Sequence, residues 1–263
     1  MSNSLGIFDS GLGGLTVLKQ ILTVNCYDRI VYFGDTGRVP YGTRSRETIK
    51  KYAMQDVRFL LSKQIDEIII ACGTVSANAI DQLKSAFSLP ITGVIDVSAQ
   101  AAARETKNGR IGVIGTKATI ASQVYLQKLH TLAPQAQVFS VACPLFVPLV
   151  EYGFAKADSD IVDKTCQYYL QELKEKEIDT LILGCTHYPL LKKPIERFFD
   201  GRVTLIDSGV EMAKCLAASG RKTTTPRVEF YVSDEAASFG ENAAVFLGSS
   251  IAPVARCVDI QEF

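Results

Sequence analysis

Two of the seven cysteines are set in matching surroundings. Cys72 closes the apolar run Ile68-Ile69-Ile70-Ala71 and opens Gly73-Thr74, while Cys185 closes Leu181-Ile182-Leu183-Gly184 and opens Thr186-His187. A sulfur between a strand end and a helix N-terminus meets exposed N–H groups, an environment that can lower a thiol from about 8.5 into the range ~3.5–7.5. Taken singly, such a cysteine reads as well as a small buried hydrophobe. As a pair they suit the inversion of a carbon bearing hydrogen, in which one group removes a proton from one face and another delivers one to the opposite face. Two other chemistries stay open at this point. A single-nucleophile hydrolase or decarboxylase would use one thiol and leave the other unexplained. A zinc site would draw on Cys72, Cys185 and His187, with no fourth ligand in view. Cys26, Cys143, Cys166, Cys215 and Cys257 have no such setting and read as core or incidental positions.

A Gly-rich segment, Asp9-Ser10-Gly11-Leu12-Gly13-Gly14-Leu15-Thr16, follows an apolar run. It lacks the third glycine of a dinucleotide fingerprint and the Gly-Lys-Ser/Thr of a P-loop. What remains is a nest of backbone N–H groups suited to a carboxylate, with Asp9 and Ser10 reading equally as helix caps. His187 lies two residues after Cys185 and is expected to orient or share a proton with that thiol; His130 reads as a surface helix residue. Tyr41 and Gly42 sit in the loop Asp35-Thr36-Gly37-Arg38-Val39-Pro40-Tyr41-Gly42, long enough to line a cleft. Glu151, a charge after Val147-Pro148-Leu149-Val150, reads either as an acid behind the site or as a solvated helix end.

The elements that must position these residues alternate. Strands are expected at 5–9, 30–34, 67–71, 91–95, 111–114, 137–142, 179–183, 203–206 and 227–232, and helices at 45–63, 75–87, 117–131 and 159–176. Lys174-Glu175-Lys176-Glu177 reads as a solvated helix end. Strands alternating with helices imply parallel sheets covered on both faces. Three pairs recur in one order at offsets of 106 to 113 residues: Gly6–Ser10 with Gly112–Thr116, Ile68–Thr74 with Leu181–His187, and Ile95–Ser98 with Ile206–Ser208. The expected fold is therefore α/β, with two similar lobes, each a mainly parallel sheet flanked by helices, related by a pseudo-twofold. Ligand crevices lie outside the carboxyl ends of strands in such sheets. Two facing lobes would gather Asp9, Ser10, Cys72, Thr116 and Cys185 around one cleft.

Composition fits that picture. The chain has 263 residues, 47% hydrophobic and 21% charged, with 28 basic against 28 acidic side chains. Length allows one or two domains, and the charge balance carries no nucleic-acid footprint. No apolar run approaches the ~18 residues of a membrane span. The start has no signal-peptide pattern, and the odd cysteine count without C-x-x-C argues against a disulfide framework. A cytoplasmic protein is expected, with no nucleic-acid or membrane partner.

With these residues in view, the chain resembles the bacterial glutamate racemases of the aspartate/glutamate racemase superfamily. The blocks that carry the resemblance are FDSGLGGLTVL at 8–18, FGDTGRVPYGTRS at 33–45, IIIACGTVSANA at 68–79, IGTKATIAS at 114–122 and LILGCTHYPLL at 181–191. The resemblance implies interconversion of L- and D-glutamate without pyridoxal phosphate, metal or nucleotide, and supply of D-glutamate for peptidoglycan. It makes Cys72 and Cys185 the acid/base pair, Cys72 acting on the D-isomer and Cys185 on the L-isomer, with Asp9, His187 and Glu151 as supporting catalytic residues. Asp9, Ser10, Tyr41, Gly42, Gly73, Thr74, Thr116, Thr186 and His187 would bind the amino acid. It also implies lobes of residues 1–96 with 208–263, and 97–207, and a homodimer in many members. One position departs from the pattern. The first cysteine motif is ordinarily Cys-Asn-Thr, and here it reads Cys72-Gly73-Thr74. A missing Asn amide and a looser loop lead to the expectation that Gly73→Asn raises activity on glutamate.

Overall fold

A computed structural model describes residues 3–155, 159–223, 225–248 and 253–263. The chain runs β1 (Ser4–Asp9), α1 (Leu15–Leu22), β2 (Arg29–Gly34), α2 (Arg46–Ser62), β3 (Glu67–Ile70), α3 (Gly73–Asn78), α4 (Ile80–Ala86), β4 (Ile91–Gly93) and α5 (Val94–Glu105). A second stretch follows with β5 (Arg110–Gly115), α6 (Lys117–Ala121), α7 (Val124–Leu132), β6 (Gln137–Ala142), α8 (Phe146–Glu151), α9 (Asp160–Glu175), β7 (Thr180–Leu183), α10 (Lys192–Phe198) and β8 (Thr204–Asp207). Then come α11 (Ser208–Ala217), β9 (Arg227–Val232), α12 (Ala236–Leu247) and β10 (Ala255–Cys257).

The strands form two sheets, ordered β10-β9-β2-β1-β3-β4 and β6-β5-β7-β8. Every described pair is parallel. Parallel sheets need cover on both faces, which explains why β1, β3 and β7 read as near-continuous apolar runs rather than alternating ones. The order β2-β1-β3-β4 is matched by β6-β5-β7-β8, so β1 corresponds to β5 and β3 to β7. Ser10 and Thr116 thus follow equivalent strands, and so do Cys72 and Cys185. One buried cluster runs through both sheets, from Leu15 and Leu18 of α1 to Leu181 and Leu183 of β7. Each such side chain contributes about 1.5–3 kcal/mol on burial.

Four expectations about elements and their equivalence need correction. The strand expected at 91–95 ends at Gly93, and Val94 begins a helix. That strand is a three-residue sheet edge, after which burial recurs at Val94, Val97, Ser98, Ala101 and Ala102, a helical spacing. In register, Ile70 lies opposite Gly93 and Leu183 opposite Asp207, so the true equivalent of Asp207 is Gly93 rather than Asp96. The helix expected over 117–131 breaks where Gln123 turns left-handed, at φ 56°. The segment 75–87 divides at Ala79 into α3 and α4. The boundary expected at 96/97 falls inside the first turn of α5, while 207/208 is the junction of β8 and α11. No helix among the described residues is long and apolar enough to cross a membrane.

Candidate active site

A cavity of about 310 Å³ opens at the carboxyl ends of the two sheets. Its lining includes Ser10, Tyr41, Gly42, Cys72, Gly73, Thr74, Thr116, Glu151, Cys185, Thr186 and His187. These side chains come from loops after β1, β2, β3, β5 and β7 and from the end of α8. The arrangement follows from the repeated topology, because each half sends its first and third strand ends to the same space. A larger cavity of about 560 Å³ lies elsewhere, among Arg44, Arg46, Lys50 and Lys128, and contains neither cysteine pair member. The smaller one contains both cysteines.

Cys72 immediately precedes α3 and is 4% exposed, with its thiol 3.5 Å from Ser10 Oγ. The expected lowering by the helix N-terminus is not found there. Burial pushes the Cys72 thiol up to about 12, the nearby Asp9 adds to the rise, and bonds from Ser10 and the Val75 backbone only partly oppose it. The helix is one and a half turns long, too short for its dipole to outweigh desolvation.

Cys185 sits in a different field. Its Sγ is 3.8 Å from His187 Nδ1, and His187 Nε2 is 2.9 Å from Glu151 Oε1. Burial alone would lower His187, but the bonds to Cys185 and Glu151 prevail and push it up to about 10. The ring packs edge-on against Phe246, with centroids 5.4 Å apart. The imidazole lies beside the Cys185 sulfur, where Cys72 has the Ser10 hydroxyl instead.

Asp9 does not line the cavity; it is fully buried behind the wall. Its Oδ2 accepts from the Gly11 backbone N–H at 3.0 Å and its Oδ1 from Thr186 Oγ1 at 3.3 Å. Burial raises the Asp9 carboxyl, with His187 and these bonds opposing. Asp9 therefore ties the Gly-rich loop of one sheet to the second cysteine loop of the other. Thr74 and Thr116 join the lobes directly, their hydroxyls 2.9 Å apart, and Thr116 also caps α6 through the Thr119 N–H. Tyr41 lines the cavity, but its hydroxyl is turned away onto Asp35 and Asp56, so only its ring and backbone remain for a ligand. His130 is exposed, away from the site.

Gly73 corrects another expectation. It is absent from the glycines with positive φ, so no special backbone angle requires it. The reason is close approach: a Cβ here would lie closer than 3.0 Å to the Gly184 carbonyl oxygen, in the loop that carries Cys185. Gly42 makes the same kind of contact, a Cβ falling 2.7 Å from Thr116 Cβ. The sequence reading missed Lys117 and the Pro144–Pro148 wall of the cavity. It also missed the buried Asp35 and Asp56 and the half-buried Arg38 beneath Tyr41, although Asp35 and Arg38 stand in one loop at i, i+3 spacing. Among the described residues, no three His, Cys, Asp or Glu side chains are arranged to hold a metal ion.

Comparison with known proteins agrees with this geometry. The Asp/Glu/Hydantoin racemase family matches residues 27–216. A glutamate racemase of Geobacter metallireducens is 43% identical over 258 residues, 95% of each chain. One of Aquifex aeolicus is 45% identical over 249 residues, covering 95% of this chain and 96% of the relative. The crystal structure of the Francisella tularensis glutamate racemase, in complex with D-glutamate, superimposes with a TM-score of 0.90 at 36% identity, over 100% of this chain and 99% of that one. Sheet order, paired cysteine loops and sequence thus lead to one conclusion: the chain is an isomerase of the Asp/Glu/Hydantoin racemase family and belongs to its glutamate racemases.

Proposed function

We propose that the chain interconverts L- and D-glutamate by a two-thiol mechanism. The observation that carries this reading is the equivalence of Cys72 and Cys185 in the two halves of the repeat, both lining one cavity. In the L-to-D direction the Cys185 thiolate takes the α-proton of L-glutamate, leaving a carbanion stabilised by its carboxylate. The Cys72 thiol then delivers its proton to the opposite face. The enzyme leaves the cycle with Cys185 as thiol and Cys72 as thiolate, and proton exchange with solvent restores the starting form.

His187 and Glu151 act through Cys185, the first as a cation beside the sulfur and the second by holding the ring in line. Asp9 works from behind the wall by fixing Gly11 and Thr186. Ser10, Gly42, Gly73, Thr74, Thr116, Thr186 and the body of Tyr41 surround the amino acid, with hydroxyls and backbone N–H groups to meet its carboxylates and ammonium group. No step in this scheme uses a metal or an organic cofactor. The same reading gives two lobes, 1–96 with 208–263 and 97–207, a cytoplasmic enzyme, and D-glutamate as a building block for peptidoglycan and hence for cell-wall form. A homodimer is compatible with it.

Incubation with L-glutamate in heavy water tests the proposal. Loss of optical activity with one deuterium gained at the α-carbon of the D-product is expected. Binding without exchange would overturn it, and turnover of aspartate in preference to glutamate would move the substrate.

A further inference from the structure

The cavity wall formed by Val39, Pro40, Tyr41, Gly42 and Thr43 rests on two carboxyl groups that the chemistry above does not use. Asp35 and Asp56 are both 0% exposed. Between them Arg38 spreads its guanidinium, with Nε 2.6 Å from Asp35 Oδ2, Nη2 2.9 Å from Asp56 Oδ1 and Nη1 2.6 Å from Gln55 Oε1. Its face lies 4.2 Å from the centre of the Tyr52 ring. The Tyr41 hydroxyl contacts Asp35 Oδ2 and lies 3.2 Å from Asp56 Oδ2. Ser233 donates to the remaining Asp35 oxygen at 2.7 Å.

Counting protons decides the state of this cluster. The phenol has one hydrogen for two carboxyl groups, and it completes the donor set of Asp35, which already gathers Arg38 Nε and Ser233 Oγ. The approach of Asp56 Oδ2 to the phenol oxygen is then a meeting of two acceptors unless Asp56 carries a hydrogen of its own. With both carboxyls ionised, two buried anions would face each other across one phenol with a single guanidinium to balance them. We propose that Asp56 is a neutral carboxylic acid in a chain running from Asp56 through Tyr41 to the Asp35 carboxylate, and that this chain positions the Val39–Thr43 wall of the active site.

The surroundings of Asp56 act in the same sense. Burial raises its carboxyl well above the usual carboxylate range, the Asp35 charge raises it further, Arg38 opposes, and Asp9 adds a smaller rise. On deprotonation an anion would appear beneath Tyr41 and opposite Asp35. The wall would then lose its seat, and substrate binding would weaken. Asp56 is in this account a positioning residue.

The decisive variant is Asp56→Asn. An amide oxygen can accept from Arg38 in place of Oδ1, and an amide N–H can donate to the Tyr41 oxygen in place of the acid hydrogen. If Asp56 is neutral, KM and kcat of Asp56→Asn stay within about twofold of the parent near neutral pH, whereas Asp56→Ala raises KM by about tenfold with a smaller change in kcat. The parent KM climbs on the alkaline side, and that climb is missing in Asp56→Asn. Infrared spectra give an answer that needs no substrate: the parent shows the carbonyl stretch of a protonated carboxylic acid at neutral pH, and Asp56→Asn lacks it. An Asp56→Asn protein as impaired as Asp56→Ala, or unable to fold, would overturn the proposal. So would an alkaline KM rise that persists in Asp56→Asn, or a parent spectrum without the acid band.

Discussion

The two cysteine loops have the same place in two copies of one topology and opposite electrical settings. Cys72 is enclosed, has a hydroxyl beside it and the Asp9 carboxyl behind it, and its thiol is pushed up to about 12. Cys185 has His187 at 3.8 Å, held protonated up to about 10 through its bonds to that sulfur and to Glu151. Backbone repetition therefore supplied equivalent positions, and the residues beside each sulfur supplied different surroundings. A two-base racemase needs one base and one acid at the start of each turnover. Under the proposed mechanism the asymmetry places the acid at Cys72, whose thiol is pushed up, and leaves the role of base to Cys185.

Removing either sulfur should have the largest effect. Cys72→Ser and Cys185→Ser are each expected to lower racemisation by about a thousandfold or more, since a hydroxyl cannot supply the required anion. A polarimetric assay that found either variant near the parent rate would end the two-thiol account. Next comes the cation. His187→Asn should lower kcat/KM for glutamate by about a hundredfold. Because His187 acts through Cys185, the same change in a Cys185→Ser background should leave residual exchange of the D-isomer almost unaltered. A further large loss in that background would mean that His187 touches substrate rather than sulfur.

Gly73 tests how closely the halves must meet. Its Cβ would invade the space of the Gly184 carbonyl, and forcing an atom into packed backbone costs about 1–3 kcal/mol. Gly73→Ala and Gly73→Asn should both lower kcat/KM, by about tenfold or more. This reverses the expectation from sequence, in which Asn restored a contact. An Asn variant more active than the parent would mean that the two loops separate readily and that close approach is not needed. The smallest effect belongs to Glu151, whose side chain is 40% exposed in its pair with His187. Glu151→Gln should cost only a few-fold at neutral pH. Since His187 is raised, its protonated form is favoured by folding, and that contribution is lost as pH rises from about 6.5 through about 10. The alkaline fall of kcat/KM should move to lower pH in Glu151→Gln, and an unmoved profile would disconnect Glu151 from the ring.

Much of this site was legible in the residues because strand ends announce themselves. The apolar runs before Cys72 and Cys185 fixed their positions, and the parallel topology brought both to one cavity. Charge states were not legible. The helix after Cys72 looked like an activating N-terminus, but the helix is short and the sulfur is desolvated, a consequence of packing that no local motif records. Gly73 was misread for a related reason. The atom that forbids a side chain there belongs to Gly184, more than a hundred residues away in sequence. The strand β10 and the break at Gln123 were missed because three residues and a single left-handed position leave no periodic signal, whereas β9, α2 and α9 were found, the two helices by their long buried faces.

The central claim is that one thiol serves each face of the substrate and that the two sit in unlike surroundings. Its most direct test is α-proton exchange by Cys72→Ser, followed by proton NMR in heavy water near neutral pH with each glutamate enantiomer supplied separately. The remaining Cys185, beside a protonated His187, should wash deuterium into L-glutamate with retained configuration and leave D-glutamate untouched. Cys185→Ser should show the opposite preference and be much slower, because Cys72 is largely protonated at that pH. Equal exchange of both enantiomers by Cys72→Ser, or faster exchange by Cys185→Ser, would contradict the account.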